Sequence, residues 1–206
     1  MEKKTELEEQ ILRVAEEQLL TKGYDGTSLS EVARQIGCNQ ALLHYYYRTK
    51  ENLLKQIFVN KFQTMLSVFD QVNDADKNFL SWLETTVGNY YDLLASNPPL
   101  PLFVLNELVR NEDRRAFIKN SVMNDERLVN IYMSYAKALE KAIDEGVIRP
   151  IKPVDLILTV VSMVAFVFMS KPVYCDFLEV KDEERDNYIA RKKTEVIDIL
   201  INGIKA

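Results

Sequence analysis

Apolar residues recur along this chain at the three- and four-residue spacings of helices, with no strand-like alternation between them. Leu7, Ile11, Leu12, Ala15 and Leu19 fall on one stripe, which predicts a first helix from about Thr5 to Lys22. Thr5 with Glu8 three residues on reads as a capping box, and Gly23 as the stop. A short second helix is predicted from Ser28 to Ile36, opened by Thr27 or Ser28 and closed by Gly37. A third runs from about Gln40 to Tyr46 behind the possible cap Asn39, its flanking helical pattern overriding the β propensity of Tyr45-Tyr46-Tyr47. The fourth begins near Lys50 and carries Leu53, Leu54, Ile57, Phe58, Phe62, Met65 and Phe69 on an apolar face to about Asp70.

Beyond the polar stretch Asp70 to Asp76 the pattern resumes from about Lys77 to Ser96. It stops at Asn97-Pro98-Pro99-Leu100-Pro101, which cannot continue a helix. Further helices are predicted at Leu102 to Arg110, Arg114 to Val122, Asp125 to Glu145, Val154 to Ser170 and Glu183 to Ile204. Gly146 to Pro153 and Lys171-Pro172 punctuate the last three. The apolar run Val154 to Met169 is shorter than the roughly 20 residues that cross a bilayer, and is expected as a helix buried on most sides.

Composition supports an all-α fold. Six Gly and six Pro in 206 residues are about half the usual share of helix breakers, which favours long helices. With 47% apolar and 28% charged residues, a soluble globule with a full core is expected. Cys38 and Cys175 are too few for a disulfide framework and lack the spacing of a zinc site, so both read as buried thiols in a reducing compartment. The charged N-terminus lacks the apolar stretch of a signal peptide, and a cytoplasmic protein is expected. No Gly-rich phosphate loop, HExxH or GxSxG element occurs, and Asp182-Glu183-Glu184 sits in a charged stretch. No catalytic residue, metal or cofactor is therefore assigned.

The informative segment is GYDGTSLSEVARQIGCNQALLHYYYRTKENL, residues 23 to 53. Two short helices around Gly37 make a helix-turn-helix pattern, whose second helix enters the DNA major groove. Leu29, Val32 and Ile36 are assigned inward, Ala33 allows close helix crossing, and Cys38 and Leu43 complete the core. Gln40, Ala41, Leu42, His44 and Tyr45 remain outward on the third helix and suit base reading. Gln pairs bidentately with adenine, His donates or accepts, and Ala or Leu touches a thymine methyl. Thr27, Ser28, Tyr46 and Lys50 suit phosphates, where free helix amides already favour anions.

On Gly23-Tyr24, Thr27-Ser28-Leu29, Val32-Ala33, Ile36-Gly37, Leu43 through Tyr46-Tyr47, and Lys50-Glu51-Asn52-Leu53, the segment resembles the DNA-binding domain of the TetR family of bacterial transcriptional regulators. Two positions depart from the family's common pattern: Leu42 stands where a small residue is frequent and His44 where an aromatic is frequent. The resemblance implies a three-helix head over residues 1–48 and a larger helical body over 49–206 that dimerises and binds a largely apolar small-molecule effector. Trp82, Tyr90, Phe103, Met123, Tyr132, Tyr135, Met163 and Phe166 are the candidates for lining its cavity. It further implies a repressor that holds a palindromic double-stranded operator as a homodimer and lets go when the effector binds. The alternatives are a helical interaction or effector-binding module without DNA binding and, behind it, an enzyme using the helical cavity.

Charge agrees with a DNA-binding head. The net charge is −5, yet residues 22 to 61 hold six basic against three acidic residues, a net of +3 that leaves −8 for the rest. An acidic body repels DNA away from the head and so discourages indiscriminate coating.

Overall fold

A computed structural model describes residues 2–68, 78–179 and 181–206. Its helices are α1 (Glu2–Gly26), α2 (Leu29–Ile36), α3 (Gln40–Tyr47), α4 (Lys50–Ser67), α5 (Phe79–Ser96), α6 (Leu100–Arg110), α7 (Glu112–Met123), α8 (Glu126–Asp144), α9 (Pro153–Phe177) and α10 (Asp182–Ile204). Among the described residues the only β feature is an isolated bridge between Ile148 and Lys205. The polar stretch Asp70 to Asp76, the expected start at Lys77 and the Thr5 side chain lie outside the description. Since α1 already begins at Glu2, Thr5 is inside the helix and does not cap it.

The chain divides into two compact units, Met1–Gln63 with Phe103–Ile118, and Thr64–Leu102 with Lys119–Ala206. In the first, Ile11, Ala15 and Leu19 of α1 are buried at spacings of four, together with Val32 and Ala33 of α2 and Leu43 and Tyr47 of α3. Leu53, Leu54, Ile57 and Phe58 of α4 are buried too, with the Phe58 ring 6.1 Å from Phe103 of α6. The boundary expected at residue 48 thus falls inside this unit, because the apolar face of α4 and a distant segment from α6 and α7 are part of the same core.

Local signals set the short helices. Gly23 takes φ 70° and ψ −177°, which ends the regular part of α1. Gly37 takes φ 70° after α2, where its amide reaches Arg34 O and the next amide, of Cys38, reaches Ala33 O, as in a glycine-terminated helix. Asn39 caps α3 by accepting from the Ala41 amide at 2.9 Å. Cys175 is buried as expected, but Cys38 is only half-buried, because it sits in the turn and not in a helix facing the core.

In the second unit α5 packs against α8, α9 and α10. Its buried residues include Phe79, Trp82, Val87, Tyr90, Tyr91 and Leu94. The Arg149 amide donates to Ile204 O at 2.9 Å, tying the end of α10 to the turn before α9. Two expectations for α9 are corrected. Lys171-Pro172 does not end it: the helix continues to Phe177, with buried Phe168 and Cys175 on either side of the proline and the Tyr174 ring tilted against Tyr188 of α10, centres 5.0 Å apart. Packing there outweighs one lost helix hydrogen bond. Nor is α9 buried on most sides. Leu156, Val160, Val164 and Phe168 face inward, while Val154, Leu158, Phe166, Val173 and Phe177 form an exposed apolar stripe. At 25 residues and a mean hydropathy of 2.0 over its most apolar part, α9 meets the length and composition of a membrane span, although its inner stripe is an ordinary core face.

Candidate nucleic-acid interface

The third helix presents one polar and aromatic face. Val32 and Leu43 have no exposed area, so α2 and α3 are locked together by their apolar sides. Gln40, Ala41, His44 and Tyr45 are exposed, while Leu42 is half-buried. Tyr45 is 73% exposed, an unusual position for an aromatic ring in a helix with a well-filled core.

His44 and Gln40 act on each other. His44 Nδ1 lies 2.9 Å from the Arg48 carbonyl, which only accepts, so Nδ1 carries the proton. Nε2 then accepts from the Gln40 amide nitrogen at 3.5 Å. One Gln40 N–H is engaged, and the other N–H with Oε1 stays free for the bidentate pattern that reads adenine. The Arg48 carbonyl belongs to a residue at φ 61° and ψ −49°, a strained backbone for a non-glycine residue, also held by its amide donating to His44 O at 2.9 Å.

The four phosphate candidates occupy different settings. Thr27 is 4% exposed and its hydroxyl donates to Gly23 O at 2.8 Å, so that proton serves the α1–α2 turn. Ser28 is half-buried at the N-cap of α2, with its Oγ 2.8 Å from Ser30 Oγ. Tyr46 is half-buried beside Tyr47 and Arg48, where a cavity of about 570 Å³ is also lined by Glu8, Leu12, Asn52 and Gln56. The hydroxyl of buried Tyr47 has no partner among the described residues, and burial, then the Glu8 carboxylate, push that phenol up to about 12. Lys50 opens α4 behind Thr49, whose Oγ1 accepts the Asn52 amide at 3.1 Å, and its ammonium lies 4.2 Å over the Tyr24 ring.

Next to Lys50 lies a charge cluster that sequence reading did not find. Arg114 of α7 donates from Nε to Glu51 Oε1 at 3.1 Å and from Nη2 to Glu51 Oε2 at 3.0 Å, and from Nη1 to Glu107 Oε2. Its guanidinium lies 4.2 Å over the same Tyr24 ring. Sixty-three residues separate Arg114 from Glu51, so no local spacing could have announced the pair. The Arg114 hydrogen bonds hold the Glu51 carboxyl below the usual carboxylate range against the opposing effect of burial. A carboxylate held low in the folded state contributes stability that is complete above its unfolded pKa and is lost as pH falls through its folded value. Thermal melts from neutral pH down through the range below about pH 5 should therefore show wild type losing more stability than Glu51→Gln. Parallel acid losses in the two proteins would remove Glu51 from the acid response.

Residues 11–57 match the family model described as bacterial regulatory proteins, tetR family. This segment is therefore a helix-turn-helix of the tetR family type. A TetR-family protein binds DNA through this helix-turn-helix and regulates transcription. Over 160 residues, 76% of this chain and 75% of the relative, it is 21% identical to the HTH-type transcriptional regulator YfiR of Bacillus subtilis (strain 168). Its fold is similar to that of transcriptional regulator SCO4942 from Streptomyces coelicolor, at a TM-score of 0.68 and 15% identity, covering 95% of this chain and 97% of that one. It is also similar to FadR from Bacillus subtilis, solved in complex with stearoyl-CoA, at a TM-score of 0.64 and 20% identity, covering 95% and 98%.

The body candidates do not share one place. In the second unit Trp82 and Tyr135 lie with ring centres 5.9 Å apart, and Phe79 is 5.5 Å from Trp82. Tyr90 is buried on the same helix as Trp82, and burial pushes its phenol up to about 12. Trp82 Nε1 is buried without a partner among the described residues, whereas the Tyr135 hydroxyl donates to Pro153 O at 3.0 Å. Tyr132 is partly exposed with its ring centre 6.4 Å from Tyr135, and Met163 is half-buried. Phe103 is in the core of the first unit, and Met123 and Phe166 are exposed. Among the described residues no group of three metal-ligating side chains converges.

Proposed function

We propose that this chain is a TetR-family repressor that grips a near-palindromic operator as a dimer and releases it when a largely apolar small molecule binds the second unit. The carrying observation is the exposed face of α3, where Gln40 keeps a bidentate edge free beside Ala41, His44 and Tyr45. In this reading Gln40, Ala41, Leu42, His44 and Tyr45 contact base edges, and Lys50, Tyr46 and Ser28 hold phosphates that set the helix in the groove. Thr27 then acts by shaping the α1–α2 turn and offering backbone, its hydroxyl being engaged.

Dimerisation is assigned to the outer stripe of α9 with Ile199 of α10, where a groove of about 250 Å³ runs beside Phe166, Tyr174 and Tyr188. A two-fold pair presents two α3 helices to successive major grooves. The effector is assigned to the aromatic cluster Phe79, Trp82, Tyr90 and Tyr135, whose unpartnered Trp82 N–H offers a ligand acceptor an anchor. The acyl chain carried by the ligand of the similarly folded FadR supports an apolar class. The protein works in the cytoplasm with its DNA, and the reading assigns it no catalysis, metal or cofactor.

Gel shifts on the chain's own upstream region over a salt series test the DNA reading. Lys50→Ala should weaken all sequences alike and reduce the magnitude of the salt slope by about 1, whereas Gln40→Ala should relax preference at one base position. Binding that is absent there and genome-wide would instead make the chain a helical module without an operator.

A further inference from the structure

We propose that Arg114 and Tyr24 are positioning residues for DNA binding, holding the Lys50 ammonium where it meets a phosphate and keeping Glu51 from taking that charge. The proposal rests on reading Lys50 as a phosphate ligand. Arg114 is 7% exposed, and its guanidinium engages three groups: a two-pronged pairing with Glu51, the Glu107 carboxylate, and the face of Tyr24. Such a fork fixes geometry as well as charge, and lysine cannot reproduce it. Lys50 lies over the Tyr24 ring at the same 4.2 Å as Arg114.

The charges explain why the arrangement bears on DNA. Glu51 follows Lys50 in the first turn of α4, so an unpaired Glu51 carboxylate would attract the ammonium and repel an incoming phosphate. Arg114 occupies both Glu51 oxygens. The Tyr24 ring then offers Lys50 a diffuse partner that restrains its flexible stem without neutralising it. Glu51 and Glu107 both take Arg114 as their ion-pair partner, which leaves the Lys50 ammonium over the Tyr24 ring. Through these contacts a residue of α7, remote in sequence from the helix-turn-helix, sets one of its backbone contacts.

The test measures binding of the full-length chain to a short duplex of mixed sequence over roughly 50 to 200 mM salt. This probe needs no knowledge of the operator. Lys50→Ala should lower the magnitude of the salt slope by about 1. Tyr24→Leu, which alters no charge, should weaken binding by about two- to five-fold and add nothing further in the Lys50→Ala background. Arg114→Met should lower the slope as Lys50→Ala does, and adding Glu51→Gln should restore it. If Lys50→Ala alone leaves affinity and slope unchanged, the phosphate reading of Lys50 fails and this proposal with it. If Lys50→Ala behaves as expected but the Tyr24 and Lys50 losses multiply independently, Tyr24 acts only through the fold and the proposal is overturned. Failure of Glu51→Gln to rescue a folded Arg114→Met overturns the charge argument. Should Arg114→Met fail to fold, the Tyr24–Lys50 cycle still decides.

Discussion

Tyr91→Ala is expected to destabilise the second unit by about 3–5 kcal/mol, the usual cost of truncating a large buried aromatic. Tyr91 stands on α5 at 1% exposure, its ring edge-on to Phe168 of α9 with centres 4.9 Å apart. Its hydroxyl donates to the Ile189 carbonyl of α10 at 2.8 Å. One side chain therefore joins three helices, and burial, then neighbouring Tyr174 and Tyr188, raise its phenol so that it stays a donor. Truncation leaves a cavity and removes the bond together. Tyr91→Phe keeps the ring and removes the hydroxyl, and should cost only about 1 kcal/mol. Urea melts followed by helical circular dichroism at fixed protein concentration measure both, because subunit association shifts apparent stability. Equal midpoints for Tyr91→Ala and wild type would show that the three helices do not depend on this ring.

Phe166→Glu is expected to separate the dimer and cost the operator complex about two to four orders of magnitude. Linking two half-site contacts raises affinity by roughly that factor through effective concentration. Phe166 is 65% exposed at the middle of the α9 stripe, flanked two helical turns away by exposed Leu158 and Val154 further on. A carboxylate there would be desolvated by a partner at a prohibitive cost, whereas in a single chain it meets water. Light scattering should show a monomer, with circular dichroism and single-chain stability retained. A dimer of wild-type size would move the interface off this stripe.

Much of the head was legible in the sequence because its signals are local. Gly37 and Asn39 bracket the turn between α2 and α3 through their own backbone and side chain, and the structure has the same two helices to within a residue. The three- and four-residue spacing of Leu53, Leu54, Ile57 and Phe58 likewise marked the buried face of α4. What the spacing could not say is which unit that face fills. One partner, Phe103, meets Phe58 from about forty-five positions away.

The site divides along the same line. Helical periodicity alone determined that Gln40, Ala41, His44 and Tyr45 share an outward face, because side-chain direction in a helix follows from residue number. Tertiary structure decided the inward turn of Thr27, the passage of α9 through Pro172, and the gathering of Glu51, Glu107, Arg114 and Tyr24 beside Lys50. Each of these depends on a contact energy between segments whose separation along the chain carries no record of their distance in space. A sequence specifies which faces must be covered, and only packing selects what covers them.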